Sequence, residues 1–330
     1  MRLVFMGTPE TAVPTLRQCL DDGHEVVAVW TQPDRPAGRG NRLSASPVKE
    51  FALSRGLDVH QPAKIKTDEA RDLFASHEAD ACIVVAYGRI LPASFLSAPR
   101  RGCINVHFSL LPKYRGAAPV NWAIARGETQ TGVTTMQIDV GLDTGAIYLQ
   151  RATPIGDAET APQVLARLAA LGAELLGETL ARLGELEPRP QREEEATHAP
   201  ILRREDGLID WGMSALEIER RVRGFQPWPN AHTQFRGQRL VIYQAAPRNS
   251  LEEVAAGAHA GIPAAGEITD AHGDALEVAC GAHTRLRLSE VQLEGKRRMS
   301  ARDFINGMRV HAGERLGTED GEGVKDRGKR

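Results

Sequence analysis

Residues 102–116 read GCINVHFSLLPKYRG. Cys103, Ile104 and Val106 make the start of this stretch apolar, and glycine bounds it. Such a short bounded run reads as a buried strand. Upstream, LVFM (3–6), EVVAVW (25–30) and ACIVVAY (81–87) are continuous in the same way. Strands apolar on both faces suit a parallel sheet covered by helices on both sides. Helical spacing fills the gaps, from residue 11 to about Leu20 and again past residue 160. There apolar residues recur at 164, 165, 168, 171, 175, 176, 180 and 183, the stripe of a helix packed on a sheet. Alternating strands and helices predict a doubly wound α/β domain. Ligands of such sheets bind beyond the carboxyl ends of the strands. Asn105 and His107 stand at such an end.

Farther on, TGVTTMQIDVGLDTGAIYLQRATPI (131–155) predicts two strands around a glycine-rich turn. GELEPRPQREEEATHAP (184–200) carries three prolines and no apolar period, which predicts an interdomain linker. Beyond it come a helix near 214–224 and short alternating segments with glycine turns, the pattern of a small β-barrel. Ser300 and Asp303 have capping-box spacing. The expected division is 1–184 as one domain, 185–206 as linker, 207–315 as a second domain and 316–330 as a polar tail without order.

The chain has 330 residues, with 41 basic and 43 acidic side chains, for a net charge of −2. Residues 203–330 balance as well, with 20 basic and 19 acidic. A global basic field is therefore absent, and any nucleic-acid surface has to be a local patch. The four cysteines form no C-x-x-C pair, and a reduced cytoplasmic setting is expected. No apolar run approaches the roughly 20 residues that span a bilayer, so no membrane role is expected.

In a strand, residues i and i+2 point the same way. Asn105 and His107 therefore share a face: an amide able to donate to an oxyanion beside a proton carrier that works near neutral pH. Alone, the pair also fits a hydrogen-bonded structural histidine at a strand end. DVGLDTG (139–145) holds two acids and two glycines; it reads equally as an Asx-turn loop or as a support for a base. It has too few oxygen ligands for calcium, and no Cys/His spacing suggests zinc, so no metal is expected. FMGTPE has one glycine where a dinucleotide fingerprint needs three. TQPDRPAGRGNRLSASPVK (31–49) carries Arg35, Arg39, Arg42 and Lys49 against Asp34. Its glycines and prolines argue for a loop outside helix and sheet. That loop is either a solvated surface or a clamp on a phosphate backbone.

Taken together, GTPE, TQPDRPAGRG, SPVK, VVAYGRILP, GCINVHFSLLPKYRGAAPVNWAI, TGVTTMQIDVGLDTG, IDW, RGFQPWPNAHT and MSARDFINGMR closely resemble the methionyl-tRNA formyltransferase family, from about residue 2 to 312. The resemblance implies a Rossmann-like formyltransferase domain with a mostly parallel sheet, plus a small OB-like β-barrel C-terminal domain that binds tRNA. It implies transfer of formyl from 10-formyltetrahydrofolate, a co-substrate, to the α-amine of methionyl initiator tRNA. Carried over by position, it implies Asn105, His107 and Asp143 as the catalytic residues. It implies Ser109, Leu110, Leu111, Pro112, Arg89, Ile90 and Leu91 at folate, and Arg39 near the tRNA acceptor end, with Arg35, Arg42 and Lys49 in the same loop. A monomer is expected. Phe108 departs from the glycine or proline of many relatives. The alternatives on the same catalytic half are a formyltransferase for an amino sugar or nucleotide and a formyltetrahydrofolate hydrolase. The second domain and the 31–49 loop argue against both. A non-catalytic RNA-binding protein is a further alternative, but aromatic residues for base stacking are only 5% of the chain.

Overall fold

A computed structural model describes residues 1–37, 42–248 and 263–317. They form two units. The first takes in residues 1–120, 129–157 and 162–201; the second takes in 121–128, 158–161 and the described residues from 202 on.

The chain runs β1 (Arg2–Gly7), α1 (Val13–Asp21), β2 (Glu25–Trp30), β3 (Arg35–Ala37), β4 (Arg42–Ser44), α2 (Pro47–Ser54) and β5 (Val59–His60). Next come α3 (Asp68–Ser76), β6 (Ala81–Val85), α4 (Ala93–Ser97), β7 (Cys103–His107), β8 (Arg115–Gly116) and α5 (Pro119–Ala125). Then follow β9 (Gln130–Gln137), β10 (Ile147–Pro154), α6 (Ala161–Ala181) and β11 (His198–Ala199). The main sheet of the first unit has the order β10-β9-β7-β6-β1-β2-β5. The strands from β5 to β7 are mutually parallel, while β9 and β10 add antiparallel. This is the doubly wound arrangement that the apolar runs predict.

Both faces are dry. On one, Trp30 meets Phe74 and Phe95 edge-on, and Phe74 stacks on Phe95 at 4.1 Å between centroids. Each such aromatic pair adds about 0.5–1.5 kcal/mol beyond its buried area. On the other, α6 lies against β7. A Cβ on Gly172 would sit 2.8 Å from Val106 Cγ1, so glycine permits the close approach. Val106 alternates with Asn105 and His107, which face the other way. The four cysteines are buried free thiols.

Two segments differ from the sequence reading. Within 31–49, β3 and β4 form an antiparallel ladder, and α2 starts at Pro47. The Ser46 side chain accepts from Lys49 N–H, and proline at N1 loses no hydrogen bond that a helix start could use. The segment expected as a linker, 185–206, is part of the first unit as far as Ile201. β11 pairs in parallel with β8, and Arg189 and Ile147 exchange backbone hydrogen bonds. Charge and proline hid these pairings because they are made by backbone, not by an apolar face.

In the second unit, α7 (Ala215–Gly224) precedes β12 (His232–Phe235), β13 (Gln238–Arg248), β14 (Ile268–His272), β15 (Ala275–Ala279), β16 (Arg285–Leu293), β17 (Met299–Ser300) and α8 (Ala301–Met308). α7 starts with a capping box between Ser214 and Glu217, and Ser300 caps α8 through Asp303 N–H. The antiparallel sheet has the order β12-β13-β16-β15-β14. Bridges from Leu316 to Phe235 and from Arg315 to Glu267 link its two edges. Leu316 is thus buried in the core rather than in the tail expected from residue 316. Residues 318–330, residues 249–262 and Arg39 lie outside the described residues.

Candidate functional site

A cavity of about 800 Å³ opens at the carboxyl ends of β6 and β7 in the first unit. That volume falls within the range of small-molecule sites. Its wall holds Asn105, His107, Arg89, Arg115 and Asp143 among apolar residues such as Tyr87, Leu91 and Met136.

β7 supplies Asn105 and His107 on one face, in register with Met136 and Thr134 of β9. His107 is buried. Its Nε2 lies 3.0 Å from the Tyr114 carbonyl oxygen. A carbonyl only accepts, so Nε2 carries the hydrogen. Nδ1 then points at Asp143, with Oδ2 3.7 Å away. The same Oδ2 accepts from Gly116 N–H at 2.8 Å. The site therefore brings together all three residues of the expected trio, although 36 positions separate His107 from Asp143. Among the described residues, no hydrogen bond occupies the Asn105 side-chain amide, which remains available to the cavity.

The loop 139–145 explains how Asp143 arrives there. Asp139 Oδ1 accepts from Gly141 N–H at 3.0 Å and from Thr144 Oγ1 at 2.7 Å, an Asx-turn. Asp143 sits at φ 55°, in the left-handed region, which aspartate tolerates better than most residues. A Cβ on Gly145 would fall 1.7 Å from the Gln137 carbonyl oxygen. Both readings of this loop therefore hold at once: it is a turn, and it presents a carboxylate.

Ser109 to Pro112 are not on the cavity wall. Ser109 is buried, and its Oγ donates to the Lys113 carbonyl at 2.6 Å. Thr134 Oγ1 donates to the Ser109 carbonyl and accepts from Leu111 N–H. Gln150 donates to the Leu111 carbonyl. Leu110 covers Gly132, where a Cβ would come within 2.5 Å of its Cδ2. The polar groups of this segment thus brace the turn that delivers the Tyr114 carbonyl to His107.

Arg89, Ile90 and Leu91 do line the cavity. Arg89 donates to Gln32 Oε1 at 3.1 Å and to the Pro62 carbonyl at 3.1 Å. Leu91 is buried, while Ile90 is exposed. Phe108 is buried and reaches the wall beside His107.

The basic loop divides. Arg35 is exposed. Lys49, in contrast, places its ammonium 2.6 Å from Asp34 Oδ2, and Gln61 donates to the other carboxylate oxygen at 2.7 Å. The Gln61 amide and the Lys49 ammonium hold the Asp34 carboxyl below its usual range. Lys49 thus has an internal partner, unlike a cation held ready for phosphate.

Sequence reasoning left Arg115 without a role and read Gln191 and Glu193 as linker. The Arg115 side chain is 2% exposed, and Nη1 lies 2.8 Å from Glu193 Oε2. Its Nε donates to Gln191 Oε1 at 3.0 Å. His198, Ala199, Pro200 and Ile201 add to the cavity wall. A glutamine and an arginine in charged, proline-rich sequence give no periodic signal. Among the described residues, no group of three His, Cys, Asp or Glu side chains is placed to hold a metal ion.

Comparison with known proteins gives a consistent result. Residues 1–180 match the formyl transferase family, and residues 201–309 match the formyl transferase C-terminal domain. The chain is 53% identical over 321 residues to a methionyl-tRNA formyltransferase of Koribacter versatilis, covering 96% of this chain and 99% of that protein. It is 50% identical over 319 residues to the methionyl-tRNA formyltransferase of Solibacter usitatus, covering 96% and 99%. Among solved structures, an N-formyltransferase from Helicobacter canadensis, in complex with folinic acid and dTDP-3-aminofucose, aligns with TM-score 0.61 at 18% identity, covering 87% of this chain and 98% of that one. HypX from Aquifex aeolicus, in complex with tetrahydrofolic acid, aligns with TM-score 0.59 at 16% identity, covering 95% and 48%. At these identities the two structures bear on the fold.

Proposed function

This chain belongs to the methionyl-tRNA formyltransferase family, and we propose that Asn105, His107 and Asp143 carry its formyl transfer. The enzyme formylates methionyl initiator tRNA. The formyl donor in this reading is 10-formyltetrahydrofolate. Three things support a folate: the size of the cavity, its mixture of apolar wall and few polar groups, and the folates held by two proteins of this fold. Arg89, Ile90 and Leu91 would hold the donor's ring system, and Ser109 to Pro112 would keep the adjoining turn in shape. The donor supplies the formyl group and a leaving nitrogen.

The reaction forms a bond between the methionyl α-nitrogen and the formyl carbon. It breaks the bond from that carbon to the donor nitrogen. Attack creates a tetrahedral centre bearing an oxyanion, while the attacking nitrogen becomes an ammonium. The Asn105 amide donates to the oxyanion; one such donor is typically worth about 3–4 kcal/mol in the transition state. The Nε2–H of His107 is engaged by Tyr114, so Nδ1 is the nitrogen that takes the ammonium proton. Asp143 stabilises the imidazolium as it forms and fixes the ring's orientation. The proton then leaves on the donor nitrogen, and the charges balance.

Arg35 and Arg42, with Arg39 between them, serve the acceptor end of the tRNA in this reading, and the second unit binds the tRNA body. Lys49 acts indirectly by shaping the base of that loop. The protein works in the cytoplasm. Formyl transfer to an amino sugar is not favoured, because the relatives that share about half of this chain's residues along nearly its whole length are tRNA enzymes.

The convergence of Asn105, His107 and Asp143 on one cavity carries the proposal. The test is to incubate the protein with 10-formyltetrahydrofolate and methionyl initiator tRNA. Formylmethionyl-tRNA is the expected product. Release of formate alone, or formylation only of an amino sugar nucleotide, would contradict it.

A further inference from the structure

Asp143 stands at φ 55° on a loop whose Asx-turn ties residues 139 to 144. That turn shapes the loop but does not attach it to the rest of the site. Gln191 does. Its Nε2 donates to the Asp143 carbonyl at 2.8 Å and to the Gly145 carbonyl at 2.8 Å. Its Oε1 accepts from Arg115 Nε at 3.0 Å. Two carbonyls on one side and a guanidinium on the other leave only one chemically sensible orientation of the amide.

Arg115 is in turn fixed. It is nearly wholly buried, it pairs with Glu193, and its backbone lies in β8 against β11. The next residue, Gly116, donates its N–H to the Asp143 carboxylate. The preceding residue, Tyr114, offers its carbonyl to His107 and donates its own N–H to Thr197 Oγ1 at 2.9 Å. The segment 189–199 therefore binds both loops: the one that carries Asp143 and the one that orients His107. The Glu193 side chain is 79% exposed, and an ion pair open to solvent at one end contributes little net stability. Its geometric effect is another matter, because errors near 1 Å in a reacting constellation can cost roughly 10²-fold in rate.

We infer that Gln191 is a positioning residue for Asp143, with the Arg115–Glu193 pair holding Gln191 in place. The inference rests on the proposed role of Asp143. Gln191 touches neither substrate, so its removal lowers kcat rather than raising KM for either substrate.

Two variants test this. Gln191→Ala removes the clamp. Gln191→Glu keeps its length and its acceptor toward Arg115 but sets an oxygen against the two carbonyls. Both are expected to lose 10- to 100-fold in kcat, with KM values within threefold of wild type and an altered pH profile of kcat. Arg192→Ala, which removes an exposed partner of Glu195 on the same segment, is expected to match wild type. In an Asp143→Asn background, assayed by single turnover, Gln191→Ala should add less than twofold, because the group it positions is already gone. The inference is overturned by unchanged kcat in Gln191→Glu, by a loss confined to thermal stability, or by fully multiplicative losses in the double variant. If Asp143→Asn is itself as active as wild type, the role proposed for Asp143 fails as well, so the two failures are distinguishable.

Discussion

His107 Nδ1 faces Asp143 Oδ2 at 3.7 Å, while Nε2 is committed to the Tyr114 carbonyl. The ring thus has one anchored nitrogen and one working nitrogen. Asp143→Asn keeps the shape of the carboxylate and its bond from Gly116, but removes the charge opposite Nδ1. The expected loss in kcat is about 10²- to 10⁴-fold, the usual range for positioned proton transfer. Steady-state kinetics at saturating methionyl-tRNA checks it, with circular dichroism to confirm the fold.

Gly145 is where the Asp143 loop turns back on β9. Gly145→Ala would push a methyl group into the Gln137 carbonyl, 1.7 Å from the Cβ position. Backbone must move to relieve such a contact, and Asp143 moves with it. Activity is expected to fall at least tenfold, with a lower thermal midpoint, because strain of this kind destabilises as well as misplaces. Gly184→Ala, where a Cβ meets nothing within 4 Å, is the control and should behave as wild type.

The loop cations separate by their partners. Arg35 is exposed and Lys49 is paired with Asp34. If Arg35 meets a tRNA phosphate, Arg35→Ala weakens tRNA binding and lowers the slope of log affinity against log salt by about one. Lys49→Ala is expected to lower that slope by much less. Binding titrations over a range of salt concentrations decide between them, and folate binding should be unchanged for Arg35→Ala.

Stability should fall on mild acidification through His77. The Trp30 indole N–H donates to His77 Nε2 at 3.2 Å. Indole only donates, so this nitrogen needs its lone pair. Burial first, and then His60 beside it, push the His77 pKa below its ordinary 6.5. The unfolded chain therefore binds the proton more readily than the folded one. The stabilisation is complete above about pH 6.5, the ordinary histidine value, and is lost as pH falls through the lower folded pKa. His24 and His232 are shifted the same way, so His77→Gln should flatten only part of the decline. Thermal midpoints of both proteins between pH 5 and 7.5 check it.

Much of this was legible in sequence. β1, β2, β6 and β7 announce themselves as apolar runs, and the strand period puts Asn105 and His107 on one face. Asp143 could be placed beside them only by resemblance, since no local rule spans 36 residues. The 189–201 segment was misread for a physical reason. Its pairing uses backbone groups and the side chains of Gln191 and Glu193, which look like solvated linker. The same holds for Lys49: its sequence shows a cation in a basic loop, and only the fold shows Asp34 and Gln61 around it. The resemblance places Ser109 at folate, and the fold adds what sequence could not show, that its hydroxyl is hydrogen-bonded within its own turn. Pro47 after Ser46 was a readable helix start inside a stretch that its glycines made look like loop.

Among the described residues the Asn105 amide has no hydrogen-bond partner, and in the proposed mechanism it stabilises the oxyanion of formyl transfer. The most direct measurement is the single-turnover rate of formyl transfer to methionyl initiator tRNA by Asn105→Ala, with both substrates saturating. The expected rate is about 10²- to 10³-fold below wild type, with tRNA and folate affinities little changed. A rate within a few fold of wild type in the folded variant would contradict it.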